Sequence, residues 1–213
     1  MTNHEKTIKV TLVRSTALVG ADLLWRQGVT GSGWTVALPD TGVDASHPFL
    51  AGKVVGEACD SSTFSGNATQ PSTMSLCPGG RTASTAAGSA RPCPGDFADC
   101  AHGTHVAGII AGGGGPDGLS GVAPEATLIA LQIYSRLTDG SGIAAWDSDL
   151  LKALERVYEL SDRYRIAAVN LSLAGHDLFG EPAGIPSVGG AWRPVRRTLG
   201  GSPGSGASFG QIQ

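Results

Sequence analysis

Aromatic and charged residues are both scarce in this chain of 213 residues, at 6% and 15% of the total. The 15 basic residues are outnumbered by 18 acidic ones, so the sequence lacks the basic excess on which nucleic-acid binding depends. No apolar run reaches the roughly 18 residues that a membrane-spanning helix needs. With hydrophobic residues at 41%, the composition is also unlike that of a highly charged disordered chain. We therefore expect a globular protein that binds neither nucleic acid nor a membrane.

Cysteine is rare as well, but the four cysteines lie close together in the chain, at Cys59, Cys77, Cys93 and Cys100. An even number in one stretch is compatible with two disulfides in any of three pairings, which favours an oxidising, extracellular setting. Residues 1–11, in contrast, have mixed charge and no apolar core of the kind found in secretory signal peptides. The localisation therefore stays open.

Glycine, by contrast, is abundant, at 32 residues, and it separates short apolar runs as in a packed α/β protein with tight loops. Uninterrupted apolar runs predict strands, and apolar residues at helical spacing predict helices. Strands that alternate with helices predict an α/β fold of three layers, with a mostly parallel sheet covered by helices on both faces. The predicted strands are Trp34–Leu38, Thr127–Ile133 and Ile166–Leu173, and the predicted helices are Ala17–Gln27, His102–Ala111 and one that begins at Asp147 or Ser148, with an apolar stripe of Leu150, Leu154, Val157 and Tyr158.

Composition also divides the chain into segments. Residues 1–16 are expected to form an N-terminal extension, and residues 17–180 the folded domain. Residues 59–100 contain many small and polar residues with little periodicity, which predicts a surface insertion held by the cysteines. Glycine, proline and serine make up about half of residues 181–213 and no amphipathic pattern is present, so we expect a disordered tail there.

Two side chains are placed for acid–base chemistry. Asp40 ends a predicted buried strand, and His102 begins a predicted helix among small residues. An imidazole held by a carboxylate and facing a hydroxyl is the general-base arrangement of serine hydrolases. Taken alone, an Asp before Thr-Gly is a common turn residue and a His at a helix start a common cap or surface residue. Both residues, however, lie within longer motifs.

These motifs carry a family resemblance. They are Asp40-Thr41-Gly42-Val43-Asp44 with His47-Pro48, His102-Gly103-Thr104-His105-Val106-Ala107-Gly108, Gly121-Val122-Ala123-Pro124 and Asn170-Leu171-Ser172-Leu173. In this order and at this spacing, over about residues 20–180, they resemble the subtilase family, the subtilisin-like serine peptidases. The resemblance implies a subtilisin-like fold and endopeptidase cleavage by acyl transfer, with no cofactor.

Roles for individual residues follow from the same resemblance. Asp40 matches the aspartate that fixes the imidazole tautomer, His102 matches the general base, and His105 matches a structural residue. The family holds an extended peptide or protein substrate between two strands through main-chain hydrogen bonds. The positions that match these strands are Gly140, Ser141 and Gly142 on one side and Ser172, Leu173 and Ala174 on the other, with Ala174 standing where the family commonly has glycine.

Two departures from the family pattern matter. Pro39 precedes the aspartate where the family has an apolar strand residue, and proline removes a backbone N–H from the strand. The Gly-Thr-Ser-Met-Ala type segment of the nucleophile and the Ala-Gly-Asn segment before it do not occur in the sequence. The serines of the tail do not replace the nucleophile, because no helix pattern follows them: Ser187, Ser202, Ser205 and Ser208. We therefore expect a truncated peptidase domain, inactive alone, after which the reading frame shifts or breaks. The alternative is a non-catalytic remnant with at most peptide-binding capacity.

A metal centre is the remaining alternative for part of this region. Cys93, Cys100, His102 and His105 are spaced C-x6-C-x-H-x2-H, which matches none of the usual structural zinc patterns. Disulfides that join Cys93 to Cys100 and Cys59 to Cys77 are the simpler explanation, and we expect no metal site.

Overall fold

The computed structural model describes residues 12–93, 98–115 and 118–173. The helices are α1 (Leu12–Leu18), α2 (Ala21–Trp25), α3 (His102–Ala111) and α4 (Asp147–Leu160). The strands are β1 (Thr35–Asp40), β2 (Val54–Asp60), β3 (Thr73–Ser75), β4 (Ala83–Ser84), β5 (Thr127–Gln132), β6 (Tyr134–Leu137), β7 (Ile143–Ala145) and β8 (Ile166–Val169). No helix within the described ranges is long and apolar enough to cross a membrane.

The larger sheet has five strands in the order β4-β2-β5-β1-β8. Strands β2, β5, β1 and β8 run parallel, and β4 pairs antiparallel with β2 at one edge. The register of β1 on β5 runs from Thr35 opposite Thr127 to Asp40 opposite Gln132. Because the strands are parallel, Asp40 and Gln132 end at the same carboxyl edge of the sheet.

Alternate residues of the central strands face opposite helices, as the pleat requires. Leu38 of β1 and Leu128 of β5 pack in one buried cluster with Ala107 of α3. Ala37 and Ile129, one residue along each strand, pack in a second cluster that includes residues of α4. The sheet is therefore covered on both faces, which confirms the predicted three-layer α/β fold.

The boundaries of β1 differ from the prediction in an informative way. The strand continues through Pro39 to Asp40, whereas it was expected to end at Leu38. The N–H groups of the odd residues of β1 point toward β8, since Thr35 N–H donates to the Arg165 carbonyl. Pairing with β8 ends at Ala37, so the N–H that Pro39 lacks has no strand partner to lose.

Other predicted elements are shorter or divided. The helix expected at Ala17–Gln27 is two short helices, because Gly20 adopts a left-handed conformation with φ of 74° between them. Strand β8 ends at Val169 instead of Leu173. In α4 the predicted stripe is correct for Val157, which is buried, and for Leu150 and Leu154, which pack against the same cluster. Tyr158 is 64% exposed, and Ala153 is buried instead.

The segment predicted to be a surface insertion contains two strands, β3 and β4. Its strand β4 extends the main sheet, and β3 pairs with β6 in a second sheet of order β3-β6-β7. Phe64 packs edge-on against Trp146 at 5.4 Å between ring centroids, and Trp146 Nε1 donates to Thr73 Oγ1. Ser62 donates through its backbone and its hydroxyl to the buried carboxylate of Asp149 on α4. These contacts join distant parts of the chain, so no local periodicity in the sequence indicates them.

Two predicted segments fall largely outside the described residues. The N-terminal extension, residues 1–16, overlaps the description only from residue 12, where α1 begins. The tail, residues 181–213, lies wholly outside it. The domain boundaries therefore stay predictions.

Candidate active site

A buried carboxylate and a half-exposed imidazole meet at the carboxyl edge of the sheet. Asp40 is fully buried at the end of β1. Its Oδ1 lies 2.8 Å from Nδ1 of His102, the first residue of α3. The imidazole bridges the interior and the solvent, because 42% of the His102 side chain is exposed while none of Asp40 is. Carboxyl edges of parallel sheets are where α/β proteins place their sites.

The direction of this hydrogen bond fixes what the imidazole can do. An ionised carboxylate only accepts, so Nδ1 of His102 donates to Asp40, and in the neutral ring Nε2 is then the unprotonated nitrogen. Such a nitrogen can take a proton from a hydroxyl. The pair therefore has the geometry of an oriented general base.

Glycine is required where α3 passes closest to β1. A Cβ at Gly103 would lie 2.3 Å from the carbonyl oxygen of Gly42 and 2.9 Å from Oδ1 of Asp40. Gly42 itself has φ of 96°, and a Cβ there would lie 2.2 Å from the carbonyl oxygen of Arg91. The absence of side chains at both positions lets α3 and residues 90–91 pack directly against the backbone of the turn after β1.

Thr41 is a residue of this site that the sequence analysis missed. It is 2% exposed, its backbone N–H donates to Oδ1 of Asp40 at 2.7 Å, and its Oγ1 accepts from the N–H of Gly103 at 3.0 Å. A sequence signal does exist, since Ala101, the residue before α3, has no side chain that can cap a helix. An acceptor for the first N–H groups of α3 therefore has to come from elsewhere.

Both disulfides are formed, and one of them lies beside the site. Cys59 is bonded to Cys77, and Cys93 to Cys100. The N–H of Cys93 donates to the Thr41 carbonyl at 3.3 Å. These pairings are the simpler of the two explanations offered for the cysteines, and they remove Cys93 and Cys100 as thiolate ligands for zinc.

Asp44, the second aspartate of the first motif, caps a turn. Oδ1 of Asp44 accepts from the N–H of Ser46 at 2.9 Å, and the Asp44 N–H donates to Oγ1 of Thr104 at 2.9 Å. The hydrogen bond from the Ser46 hydroxyl lowers the pKa of Asp44 more than its burial raises it. The turn after β1 is thus fastened to α3 at a second point.

A tyrosine adjoins the buried carboxylate. Tyr134 opens β6, one residue after Ile133, whose N–H donates to the Asp40 carbonyl at 3.1 Å. Burial raises the pKa of Tyr134 to about 12, and the negative charges of Asp40 and Asp99 act in the same direction. The phenol is therefore neutral at physiological pH.

The predicted substrate strands are only partly described. Gly140, Ser141 and Gly142 lie in the tight turn between β6 and β7, and their role as substrate contacts stays a prediction. The turn is locally satisfied: Ser141 N–H and Oγ both donate to Oδ1 of Asp139, and the Gly142 carbonyl accepts from Leu137 N–H. These bonds from Ser141 lower the pKa of Asp139.

On the other side, Ser172 and Leu173 follow β8 in a segment without regular secondary structure. Oγ of Ser172 accepts from Nδ2 of Asn170 at 3.0 Å, and Leu173 packs against the buried cluster on the α4 face. Ala174 lies outside the described residues. His105, expected to be structural, is exposed on α3.

The fold and the carboxylate–imidazole pair together define a protein of the subtilisin-like α/β class. The chain belongs to the subtilase family, whose family model matches residues 31–197. This match continues past residue 180, where the sequence analysis ended the folded domain.

The curated relatives of the chain include proteins named as serine proteases and subtilisins. The chain is 27% identical over 171 residues to the major intracellular serine protease of Bacillus subtilis, covering 80% of this chain and 41% of that protein. It is 32% identical over 158 residues to subtilisin E of Bacillus subtilis, covering 74% of this chain and 31% of that protein. It is also 34% identical over 166 residues to bacillopeptidase F of the same organism, covering 76% of this chain and 10% of that protein. The chain thus spans about two fifths or less of the length of these relatives.

Proposed function

We propose that this chain carries the acid–base half of a subtilisin-like serine endopeptidase. The observation that supports this most directly is the 2.8 Å hydrogen bond between Oδ1 of the fully buried Asp40 and Nδ1 of His102. Membership of the subtilase family supports the same reaction class.

In this proposal each residue has one role. Nε2 of His102 takes the proton of a serine hydroxyl as that oxygen attacks a peptide carbonyl, and it returns the proton to the leaving amine. Asp40 holds the imidazole in the required tautomer and stabilises the imidazolium that forms. The substrate is an extended peptide or protein segment, and we keep Gly140, Ser141 and Gly142 with Ser172, Leu173 and Ala174 as its proposed backbone contacts.

The nucleophile is the missing part. Neither a Gly-Thr-Ser-Met-Ala type segment nor an Ala-Gly-Asn segment occurs in the 213 residues. In subtilisin, loss of the serine alone costs about 10⁶-fold in kcat. The 213-residue chain is therefore proposed to be inactive by itself, and the domain division at residue 180 with a separate tail remains part of the proposal.

A second candidate is a non-catalytic remnant that binds peptides. The absence of the nucleophile motif from the sequence favours it. The two proposals differ in whether the gene encodes the missing motifs in another reading frame after codon 180.

The test is to translate the DNA after codon 180 in all frames and to express the product in which the frame is restored. We expect this product, and not the 213-residue chain, to react with a fluorophosphonate and to hydrolyse casein. His102→Ala and Asp40→Asn should abolish hydrolysis, whereas His105→Ala, an exposed position on the same helix, should retain it. If no frame contains the two motifs, the remnant is favoured. Labelling of the 213-residue chain that His102→Ala removes would contradict the missing nucleophile.

A further inference from the structure

Thr41 hydrogen-bonds to Asp40 through its backbone and to the residues on either side of His102 through its hydroxyl. Its backbone N–H donates to Oδ1 of Asp40 at 2.7 Å, the same oxygen that accepts from His102. Its hydroxyl oxygen accepts from the N–H of Gly103, the residue after His102, at 3.0 Å. The hydroxyl also donates to the Cys100 carbonyl, two residues before His102, at 3.3 Å. One side chain thus brackets the backbone of His102 on both sides.

The start of α3 needs such a partner. The first N–H groups of a helix have no acceptor within the helix, and a buried N–H that lacks one costs stability. Ala101 precedes α3 and makes no side-chain cap, while Gly103 is buried. Oγ1 of Thr41 supplies from the end of β1 the acceptor that a Ser, Thr, Asp or Asn at the N-cap would supply locally.

The position of this acceptor decides where the imidazole lies. Gly103 N is covalently joined to the His102 carbonyl carbon, so a hydrogen bond from Gly103 to Thr41, the residue after Asp40, fixes the His102 backbone relative to Asp40. The contact is close, because a Cβ on Gly103 would approach Cβ of Asp40 to 3.2 Å. A small shift of the α3 start would therefore lengthen the 2.8 Å bond between the two side chains.

We propose that Thr41 is a positioning residue for the Asp40–His102 pair, and that its hydroxyl anchors the first turn of α3 so that Nδ1 of His102 meets Oδ1 of Asp40. The proposal rests on the proposed function for the catalytic meaning of the pair. Its geometric content does not depend on peptidase activity.

The experiment compares three variants of the full 213-residue chain. Thr41→Val removes the hydroxyl at nearly constant shape, and Thr41→Ser retains it. Thr104→Val is the matched control, because Oγ1 of Thr104 also accepts a backbone N–H, that of Asp44, and contacts neither Asp40 nor His102 through a hydrogen bond. The readouts are the low-field proton resonance of His102 Nδ1–H and the native-state exchange rate of the Gly103 amide.

In Thr41→Val we expect the low-field resonance to broaden or vanish and the Gly103 amide to exchange about tenfold faster, as for a lost hydrogen bond to a buried amide. Thr41→Ser should retain the His102 resonance and the slow exchange of the Gly103 amide. Thr104→Val should leave both readouts unchanged even where it lowers stability. A resonance that persists unchanged in Thr41→Val would overturn the proposal. If Thr41→Val does not fold, a wild-type Gly103 amide that exchanges as fast as in an unstructured peptide would overturn it as well.

These readouts also separate the two proposals. Should the frame-restored product prove inactive while Thr41→Val still loses the resonance, the positioning role stands and the proposed function fails. Should that product be an active peptidase while Thr41→Val keeps the resonance, the proposed function stands and the positioning role fails.

Discussion

Replacement of Gly103 by alanine tests the packing that brings His102 onto Asp40. The added Cβ would lie 2.3 Å from the Gly42 carbonyl oxygen, 2.9 Å from Oδ1 of Asp40 and 3.2 Å from its Cβ. Real Cβ atoms essentially never approach a non-bonded heavy atom within 3.0 Å. The obstacle at 2.3 Å is backbone, which has no rotamer through which to move aside, so α3 must shift away from β1.

The expected cost combines two opposing contributions. Overpacking a filled site costs about 1–3 kcal/mol, and the rigid backbone neighbour places this substitution toward the upper end. Alanine recovers at most about 1 kcal/mol of helix propensity relative to glycine. We therefore expect Gly103→Ala to lower the free energy of unfolding by about 2 kcal/mol and to weaken the Asp40–His102 hydrogen bond.

Gly108 on the same helix provides the matched control. A Cβ there would meet only the ring of Phe49, at 3.3 and 3.5 Å, and a side chain can yield by a few tenths of an ångström. Gly108→Ala should therefore change stability by less than about 1 kcal/mol, with the propensity gain acting in its favour. Urea denaturation gives both free energies, and the His102 Nδ1–H resonance reports the pair. The reasoning is refuted if Gly103→Ala is as stable as Gly108→Ala and retains the resonance.

Two further predictions concern the insertion. From their sequence separations of 7 and 18, loss of the Cys93–Cys100 disulfide should lower the free energy of unfolding by about 2.5 kcal/mol and loss of Cys59–Cys77 by about 3 kcal/mol. Urea denaturation of variants in which both cysteines of a pair are replaced by serine measures these values. Only loss of Cys93–Cys100 should disturb the His102 Nδ1–H resonance, and an equal disturbance by both variants would contradict the prediction. Burial raises the pKa of Asp60 above 3.8, with Lys152 offsetting part of the effect, so its stabilising contribution is complete below pH 3.8 and is lost as the pH rises through the raised value. Asp60→Asn should accordingly be more stable than wild type at pH 7 and not at pH 3, and a loss of stability at pH 7 would show that the attraction of Lys152 and Arg156 outweighs the burial of the carboxylate.

The elements that hold the pair were predictable because their signals are local. Helix α3 begins and ends where the sequence predicts, at His102 and Ala111. Apolar residues at helical spacing define its extent, and the glycines after Ala111 end it. The position of Asp40 at a strand end follows from a short apolar run. Strand β2 was missed, because Gly56 and Glu57 interrupt it, and its burial comes from pairing with β5.

Contacts across the chain explain the remaining errors. Thr41 was seen only as part of a turn, because the need for its hydroxyl arises at Gly103, 62 residues away. The turn at Gly140–Gly142 is closed locally by the bonds from Ser141 to Asp139, a feature that the family resemblance does not reveal.

The return of the chain from Asp40 to His102 shows what the insertion contributes to the site. Sixty-two positions separate the two residues, and closing a long loop has an entropic cost that rises only slowly with its length. Two hydrogen bonds near the end of the loop offset part of this entropic cost. The Ala90 carbonyl accepts from Val43 N–H at 2.8 Å, and Cys93 N–H donates to the Thr41 carbonyl. These two bonds hold residues 90–93 against the turn after β1. The Cys93–Cys100 disulfide links this segment covalently to Cys100, two residues before α3 begins. We therefore expect the geometry of the pair to depend on residues 90–93 more than on the length of the segment before them.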